Sequence, residues 1–263
     1  MMKKYFVIGN PINHSLSPKL HNYWLKENNI DAIYDKKKIE EKNLQNIISE
    51  VKEKKINGIN VTVPFKKTVI QYLDKLSLEA EQTQSVNTIF LDNDNLVGYN
   101  TDIGGFIKAI KNLNFDIKGK KIFILGAGGV APSIIFALNK MNVSKIFISN
   151  RTKKKAEDLK SQFDNLEILD WGDINDFDVI INATSLGLNK ESINLDFSKF
   201  ANDKLFYDVI YNPTETNFLK EGKKLGNRTE NGKLMFIYQA FEAFKLWHGI
   251  EPEINSNTLK IIK

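Results

Sequence analysis

The chain contains no cysteine. Disulfides, thiolate metal sites and cysteine nucleophiles are therefore excluded. It has only three histidines, His14, His21 and His248. Neither their spacing nor that of the carboxylates resembles a metal site, so no metal is expected and the three are read as structural. No run of about 18 apolar residues occurs, so no membrane-spanning helix is expected. The N-terminus begins like an export signal, but its apolar stretch stops at Ile8, before Gly9-Asn10-Pro11. That length suits a first β-strand, and a cytoplasmic protein is the default expectation. Internal repeats and low-complexity segments are missing too.

Hydrophobic residues make up 42% of the 263. That suffices for real cores, and the length suits two small domains better than one. The net charge is +5, from 37 basic and 32 acidic residues. The lysines are scattered, as in Lys36–Lys38, Lys54-Lys55 and Lys153–Lys155. Nucleic acid is therefore not an expected partner, whereas a modest basic balance suits anionic small molecules.

The first hundred residues alternate strand and helix patterns. Strands are expected at Tyr5–Gly9, Ala32–Ile39 and Ile56–Val63, the last ended by Pro64. Helices are expected at Ser17–Asn28, Asn43–Lys54, Phe65–Leu73 and Leu78–Thr83. Val86–Leu91 and Leu96–Tyr99 read as a hairpin around Asp92-Asn93-Asp94-Asn95. Together they imply a largely parallel sheet covered by helices. A helix from Asp102 to about Leu113 carries the domain junction. Beyond it, strands at Lys120–Leu125, Lys145–Ser149, Leu166–Leu169, Val179–Asn182 and Leu205–Asp208 are interleaved with helices at Val130–Met141, Thr152–Phe163 and Glu215–Lys224. That is a doubly wound sheet. The long apolar helix Lys233–His248 is expected to return to the first domain.

The sharpest motif follows the strand Lys121–Leu125. Gly126-Ala127-Gly128-Gly129-Val130-Ala131 fits the G-x-G-x-x-A dinucleotide fingerprint in a strand–turn–helix setting. Gly126 allows the tight turn, Gly128 lets a pyrophosphate approach the backbone, and Ala131 lets helix and strand pack closely. The helix N-terminus then faces the phosphates. The next strand ends in Asn150-Arg151-Thr152, where an NAD site normally has Asp or Glu for the ribose 2′-hydroxyl. Guanidinium instead suits a 2′-phosphate, with Lys155 one turn further on. The expected cofactor is NADP (NADPH). Lys153 and Lys154 read as a solvated helix face. The small-residue loop of Asn182, Ala183, Thr184 and Ser185 is expected beside the nucleotide, or else it is an ordinary Ser/Thr turn.

Polar clusters stand at strand ends in the first domain. Ser15 and Ser17 precede a helix, where two hydroxyls suit a carboxylate; equally, Ser17 reads as a plain N-cap. Lys66 follows Val63-Pro64-Phe65. A partly desolvated lysine there suits general acid/base work, against the alternative of one solvated lysine among many. Asp102 at a helix start reads as a cap or as the partner of Lys66.

Taken together, the chain resembles the bacterial shikimate dehydrogenases over nearly its full length. The resemblance rests on Asn10–Pro18, Asn60–Lys66, Ser85–Thr88, Asn100–Asp102, Gly126–Gly129, Asn150–Thr152, Asn182–Ser185, Tyr207–Pro213, Asn231-Gly232 and Gln239-Ala240. It implies reversible NADPH reduction of 3-dehydroshikimate to shikimate, in chorismate and aromatic amino acid biosynthesis. It implies that Ser15, Ser17 and Tyr211 hold the substrate carboxylate. Thr62, Lys66, Asn87, Asp102 and Gln239 would meet the ring hydroxyls, with Lys66 and Asp102 as the catalytic pair. Ile210 and Gly232 would join the cofactor residues. The implied architecture is α/β: an αβα substrate domain (1–102), a Rossmann-like NADP domain (103–231) and a C-terminal helical segment (232–263) packing back on the first. Monomer or homodimer is expected, with a small-molecule substrate and no nucleic acid or membrane partner. Two positions depart from the family's usual glycines: Ile103 after the aspartate and Leu234 near the last helix. Alternative readings are a quinate/shikimate dehydrogenase of broader specificity and a non-catalytic nucleotide-binding regulator.

Overall fold

The computed structural model describes residues 2–173, 176–189, 191–200 and 202–262. In chain order its elements are β1 (Lys3–Gly9), α1 (Ser17–Glu27), β2 (Ala32–Lys38), α2 (Leu44–Lys52), β3 (Gly58–Val61), β4 (Lys75–Leu76), α3 (Leu78–Thr83), β5 (Thr88–Asp92), β6 (Asn95–Tyr99) and α4 (Thr101–Asn112). There follow β7 (Lys121–Leu125), α5 (Ala131–Lys140), β8 (Lys145–Ser149), α6 (Lys153–Lys160), β9 (Leu166–Ile168), β10 (Val179–Asn182), β11 (Leu205–Asp208), α7 (Asn217–Lys224), β12 (Arg228–Glu230), α8 (Lys233–His248) and α9 (Ser256–Ile261). They form two compact units: Met1–Gly105 with Ile237–Lys263, and Phe106–Phe236. The chain passes between them within α4 and again within α8.

The first unit holds a sheet of order β2-β1-β3-β5-β6-β4. It is largely parallel with one reversed strand: β1 runs parallel to β2 and β3 and β4 runs parallel to β6, while β5 runs antiparallel to both β3 and β6. The cause is the tight turn between β5 and β6. Asn93 and Asp94 both take positive φ, 45° and 65°. Two such residues give the twist of a two-residue hairpin, which forces antiparallel strands. The helix expected over Phe65–Leu73 is a 3₁₀ turn, Thr68–Tyr72. The β-branched run Thr68-Val69-Ile70 has low α-helix propensity, and so short a segment cannot offset helix nucleation. Strand β4 and helix α9 were not expected from the sequence. Apolar side chains of α2, β3 and β5 form the core with Ile8, Phe65 and Val69. In the C-terminal half of α8, Trp247 lies 5.0 Å from the Tyr5 ring, and Phe244 meets Trp24 edge-on at 5.7 Å.

The second unit holds a wholly parallel sheet of order β12-β11-β10-β7-β8-β9. From β7 the chain winds first one way and then the other. The strand order therefore reverses between β7 and β10, where ligands of doubly wound sheets bind. β7, β10 and β11 are buried on both faces, as continuous Ile/Val/Phe runs require. The short β12 is a polar edge and carries no apolar alternation that would mark it in the sequence. Phe123, Phe177, Phe197, Phe200, Phe206 and Phe218 dominate the core. Among the described residues, no helix is long and apolar enough to cross a membrane.

Candidate active site

In the first unit, β3 delivers Thr62 and Lys66. After Val61 the chain turns through Val63-Pro64, a cis bond. Phe65, 2% exposed, anchors the turn in the core. The Phe65 N–H donates to the Thr62 carbonyl at 3.0 Å, and the Val86 N–H donates to the Lys66 carbonyl at 2.9 Å. The second bond ties Lys66 to the segment that carries Asn87. The Lys66 ammonium meets the Asp102 carboxylate at 2.6 Å, with side chains only 13% and 9% exposed. Lys66 is thus not a solvated surface lysine.

Asp102 is not the helix cap. It lies in the first turn of α4, and its N–H donates to Asn100 Oδ1 at 3.2 Å. The amide of Asn100 does the capping, which frees the Asp102 carboxylate for Lys66. Ser17 is not a cap either. It is the first residue of α1, and the cap position before it is Leu16, whose side chain makes no capping bond. The Ser17 N–H instead donates to Ser15 Oγ at 3.3 Å, and the Ser15 hydroxyl donates to Ser17 Oγ at 3.3 Å. Two hydroxyls therefore sit side by side at the positive end of an 11-residue helix.

Asn87 is 3% exposed. Its Oδ1 accepts from the Thr101 N–H at 2.8 Å and from the Thr88 hydroxyl at 3.0 Å, and its Nδ2 donates to Thr101 Oγ1 at 2.9 Å. A backbone donor fixes the amide's orientation. Gln239 lies half-buried on α8, in the part belonging to this unit. Ile103, where the family usually has glycine, is buried in the first turn of α4.

In the second unit, the turn after β7 is shaped for an anion. Gly126 has φ +102°, and a Cβ there would lie 2.7 Å from Thr184 Cγ2 and 3.0 Å from the Ala183 backbone. The fingerprint and the loop Asn182–Ser185 are therefore in contact, and only glycine fits between them. The Ala127 N–H donates to Asn150 Oδ1 at 3.0 Å, and Asn150 Nδ2 donates to the Thr152 carbonyl at 2.8 Å. Asn150, expected among the cofactor residues, thus braces the glycine loop with its side-chain amide. The Gly128, Gly129 and Val130 N–H groups find no hydrogen-bond partner among the described residues, and they open directly onto α5. Three consecutive free N–H groups at a helix start are of the kind that could hold an anion. Gly128 is open on its outer side, the nearest atom to an added Cβ being the Ala183 carbonyl at 3.7 Å.

The basic residues beyond β8 fall into two kinds. Lys153 pairs with Asp170 at 2.7 Å and Lys154 with Asp158 at 3.1 Å. Arg151 and Lys155 are exposed and have no ion-pair partner among the described residues. Thr184 shapes its loop: its hydroxyl donates to Asn182 Oδ1 at 2.7 Å and accepts from the Leu186 N–H at 3.0 Å. Ser185 is exposed. Gly232 is required where it stands, because a Cβ would lie 2.0 Å from the Val209 carbonyl oxygen. Its N–H donates to the Ile210 carbonyl at 3.1 Å. Tyr211 stacks on Phe236 at 4.4 Å, within this unit.

Sequence reasoning gave Asp208 no role. Asp208 is fully buried and accepts from Thr216 Oγ1 (2.6 Å), Asn182 Nδ2 (3.1 Å) and the Ile210 N–H (3.0 Å). Burial pushes its carboxyl up to about 6, against the opposing pull of these donors. A charged residue ending an otherwise apolar strand was the available signal. Among the described residues, no group of three or more His, Asp or Glu side chains is placed to hold a metal ion.

Three family models cover most of the chain: the shikimate dehydrogenase substrate binding domain (residues 7–89), shikimate / quinate 5-dehydrogenase (108–206) and the shikimate 5′-dehydrogenase C-terminal domain (234–255). The shikimate dehydrogenase (NADP(+)) of Pelagibacter ubique (strain HTCC1062) is 53% identical over 100% of this chain and 99% of its own length. The chain belongs to the shikimate dehydrogenase family. Among solved members, the shikimate 5-dehydrogenase of Thermus thermophilus, in complex with NADP(H) and shikimate, superposes with a TM-score of 0.91. It is 30% identical, with 99% of this chain and 98% of that one covered. The Listeria monocytogenes enzyme, in complex with shikimate and NAD, gives a TM-score of 0.87 at 31% identity, covering 99% and 95% of the two chains. The family therefore includes a structure with each nicotinamide dinucleotide, which leaves Arg151 and Lys155 as the local features that bear on the choice.

Proposed function

We propose that the chain catalyses the reversible reduction of 3-dehydroshikimate to shikimate with NADPH. The carrying observation is the Lys66–Asp102 pair, 2.6 Å apart and largely withdrawn from water. When bound, the nicotinamide supplies the hydride. The ketone oxygen then gains negative charge and needs a proton. Lys66 Nζ can give it, and in the reverse direction Lys66 Nζ receives the alcohol proton. The Asp102 carboxylate orients Lys66 and balances its charge. Ser15 and Ser17 at the N-terminus of α1 are the candidate hold on the substrate carboxylate, with Tyr211 as a third contributor. Thr62, Asn87 and Gln239 are assigned to the ring hydroxyls.

The chain's own groups fit NADP. The nest of Gly128, Gly129 and Val130 suits the pyrophosphate, with Ala127 and Ala131 completing the turn. Arg151 and Lys155, both without carboxylate partners among the described residues, suit a 2′-phosphate; Thr152, Ala183, Thr184, Ser185, Ile210 and Gly232 complete the assigned cofactor residues. A small-molecule substrate needs neither nucleic acid nor membrane, and the enzyme is proposed to work as a monomer or homodimer.

The test is reduction of NADP⁺ by the purified chain with shikimate, followed by absorbance of the reduced nicotinamide. Turnover with shikimate that exceeds turnover with quinate is expected. No turnover with either would refute the proposal and favour a nucleotide-binding regulator. Comparable rates would move it to the broader quinate/shikimate activity.

A further inference from the structure

Tyr34 stands on β2, the edge strand of the first sheet, yet it is only 2% exposed. Its neighbours along that strand are mostly exposed lysines and an aspartate. Three separate contacts fix it. Asn22, on α1, grips its backbone from both sides: Nδ2 donates to the Tyr34 carbonyl at 2.7 Å, and Oδ1 accepts the Tyr34 N–H at 2.9 Å. A side-chain amide thereby takes the place of a missing neighbour strand and locks α1 to β2. The His21 ring stacks on the Tyr34 ring at 4.2 Å, 3° from parallel. The Tyr34 hydroxyl donates to Asn60 Oδ1 at 2.6 Å.

The direction of that last bond is set by the backbone. Asn60 Nδ2 donates to the Asn87 carbonyl at 3.1 Å and to Thr88 Oγ1 at 3.0 Å, so its Oδ1 must accept. Tyr34 has one proton, and Asn60 takes it. On the far side, Thr88 accepts from Asn60 and passes its own proton to Asn87 Oδ1 at 3.0 Å. Asn87 Oδ1 also accepts the Thr101 N–H, and Asn87 Nδ2 gives one hydrogen to Thr101 Oγ1. Asn87 is left with a single N–H, so it can meet a ligand only as a donor. Asn60, Asn87, Thr88 and Thr101 are all buried, at 7%, 3%, 0% and 5% exposure.

We infer that Tyr34 is a positioning residue for substrate binding: through Asn60 and Thr88 it holds in place the Asn87 amide that the Thr101 N–H orients, and through Asn22 it ties down α1, the helix that begins at Ser17. It touches no reacting atom. The inference rests on the proposed roles of Ser17 and Asn87, and it explains why an aromatic hydroxyl is buried on an otherwise solvated edge strand.

The test uses Tyr34→Phe, which keeps the ring and its stack on His21 and removes one oxygen. Shikimate binding is measured by calorimetry without cofactor, beside KM and kcat for shikimate and for NADP⁺. The expected result is a rise of about tenfold in both the shikimate Kd and its KM, with KM for NADP⁺ unchanged within about twofold. Thr88→Val cuts the same chain one link on and should act alike. The double variant should be no worse than either single one, because both break one path. A shikimate Kd within about twofold of wild type in folded Tyr34→Phe overturns the inference, as do fully additive losses in the double variant. Should Tyr34→Phe not fold, Thr88→Val alone decides by the same threshold. Wild-type protein that binds shikimate without turning it over defeats the proposed reaction and leaves this inference standing. Wild-type protein that does not bind it defeats both.

Discussion

The two units prepare their candidate ligand groups in opposite ways. In the first, the groups are side chains, and nearly every one is held by another side chain: Lys66 by Asp102, Ser17 by Ser15, Asn87 by Thr88 and Thr101. In the second, the groups are main-chain N–H donors at the start of α5 and exposed cations with no partner among the described residues. The first arrangement suits a small polyhydroxylated ring, where orientation of each donor and acceptor decides recognition. The second suits a phosphate-rich ligand, which needs positive potential and close approach more than fixed side-chain rotamers. A side-chain substitution should therefore damage chemistry or substrate binding in one unit and tune cofactor choice in the other.

The most direct way to break that contrast is Lys66→Ala. If Lys66 gives and takes the proton, kcat should fall by about 10²- to 10⁴-fold, the usual span of general acid/base catalysis. KM for shikimate should move far less, because the lost interaction belongs to the transition state. Steady-state kinetics in both directions checks this. A variant with near-wild-type kcat sinks the catalytic role and reduces the pair to a structural ion pair. Some loss of stability is also expected, since the Asp102 carboxylate is left buried without its cation.

The units should also part company in acid. In the first, burial holds the His21 imidazole down at about 3, helped by His248, and holds His248 itself at about 4, helped by Lys3. A histidine kept neutral in the fold but free to charge when unfolded stabilises above its ordinary value of 6.5. That stability is lost as pH falls from there toward the folded value. For His21 the whole window is worth about 5 kcal/mol, and about 2 kcal/mol is gone by about pH 5. Asp208 in the second unit has the opposite sign. Its folded value, about 6, lies above the ordinary 3.8. Its contribution is complete below 3.8 and is lost as pH rises through 6, at most about 3 kcal/mol in all. Urea unfolding at about pH 7 and about pH 5 should show His21→Phe losing less stability on acidification than wild type. Asp208→Asn should lose more, since it forgoes the compensating gain. Parallel pH curves for all three proteins would mean that neither group governs the response.

That contrast also marks how far the sequence could be read. The glycine fingerprint was legible because its spacing is a backbone requirement. Gly126 and Gly232 occupy places where a Cβ meets main chain at 3.0 Å or less. The parallel strands of the second sheet were legible as continuous apolar runs, and β8, β10 and β11 keep the expected bounds. The first sheet was less legible. The hairpin was visible at Asp92–Asn95, but its consequence, one reversed strand inside a parallel sheet, depends on which strand β5 joins, and β3 is distant in sequence. Lys66 and Asp102 are 36 residues apart. The apolar flank of Lys66 and the helix-start position of Asp102 offered them as a pair, against a solvated lysine and a plain cap, and the family resemblance implied their catalytic role. Ser17 and Asp102 were open to reading as caps because Ser and Asp favour that position. Asn100 fills it in α4, and at α1 the position falls to Leu16, with Ser15 Oγ accepting the Ser17 N–H. The buried network of Tyr34, Asn60 and Thr88 had no sequence signature beyond polar residues in strands. Its meaning lies in the directions of its hydrogen bonds, which no spacing encodes.

The smallest predicted effect is in the second unit, and it sharpens the comparison most. Lys153 and Lys154 already have carboxylate partners, whereas Arg151 and Lys155 have none among the described residues. Arg151 should therefore be the residue that distinguishes a 2′-phosphate from a 2′-hydroxyl. Paired hydrogen bonds from guanidinium to phosphate are worth about 1.5–3 kcal/mol, and an exposed, solvent-screened site belongs at the low end. Arg151→Ala should accordingly lower kcat/KM for NADPH about tenfold and leave kcat/KM for NADH nearly unchanged. Lys155→Ala should act in the same direction but more weakly, since an ammonium offers a point charge and not a planar fork. Both ratios come from one set of initial-rate measurements at fixed ionic strength, because screening weakens the effect as salt rises. Equal losses with the two cofactors would show that Arg151 supports the fold of the loop and not the phosphate. A wild-type preference for NADH would remove the premise altogether, and the exposed cations beyond β8 would then need another explanation.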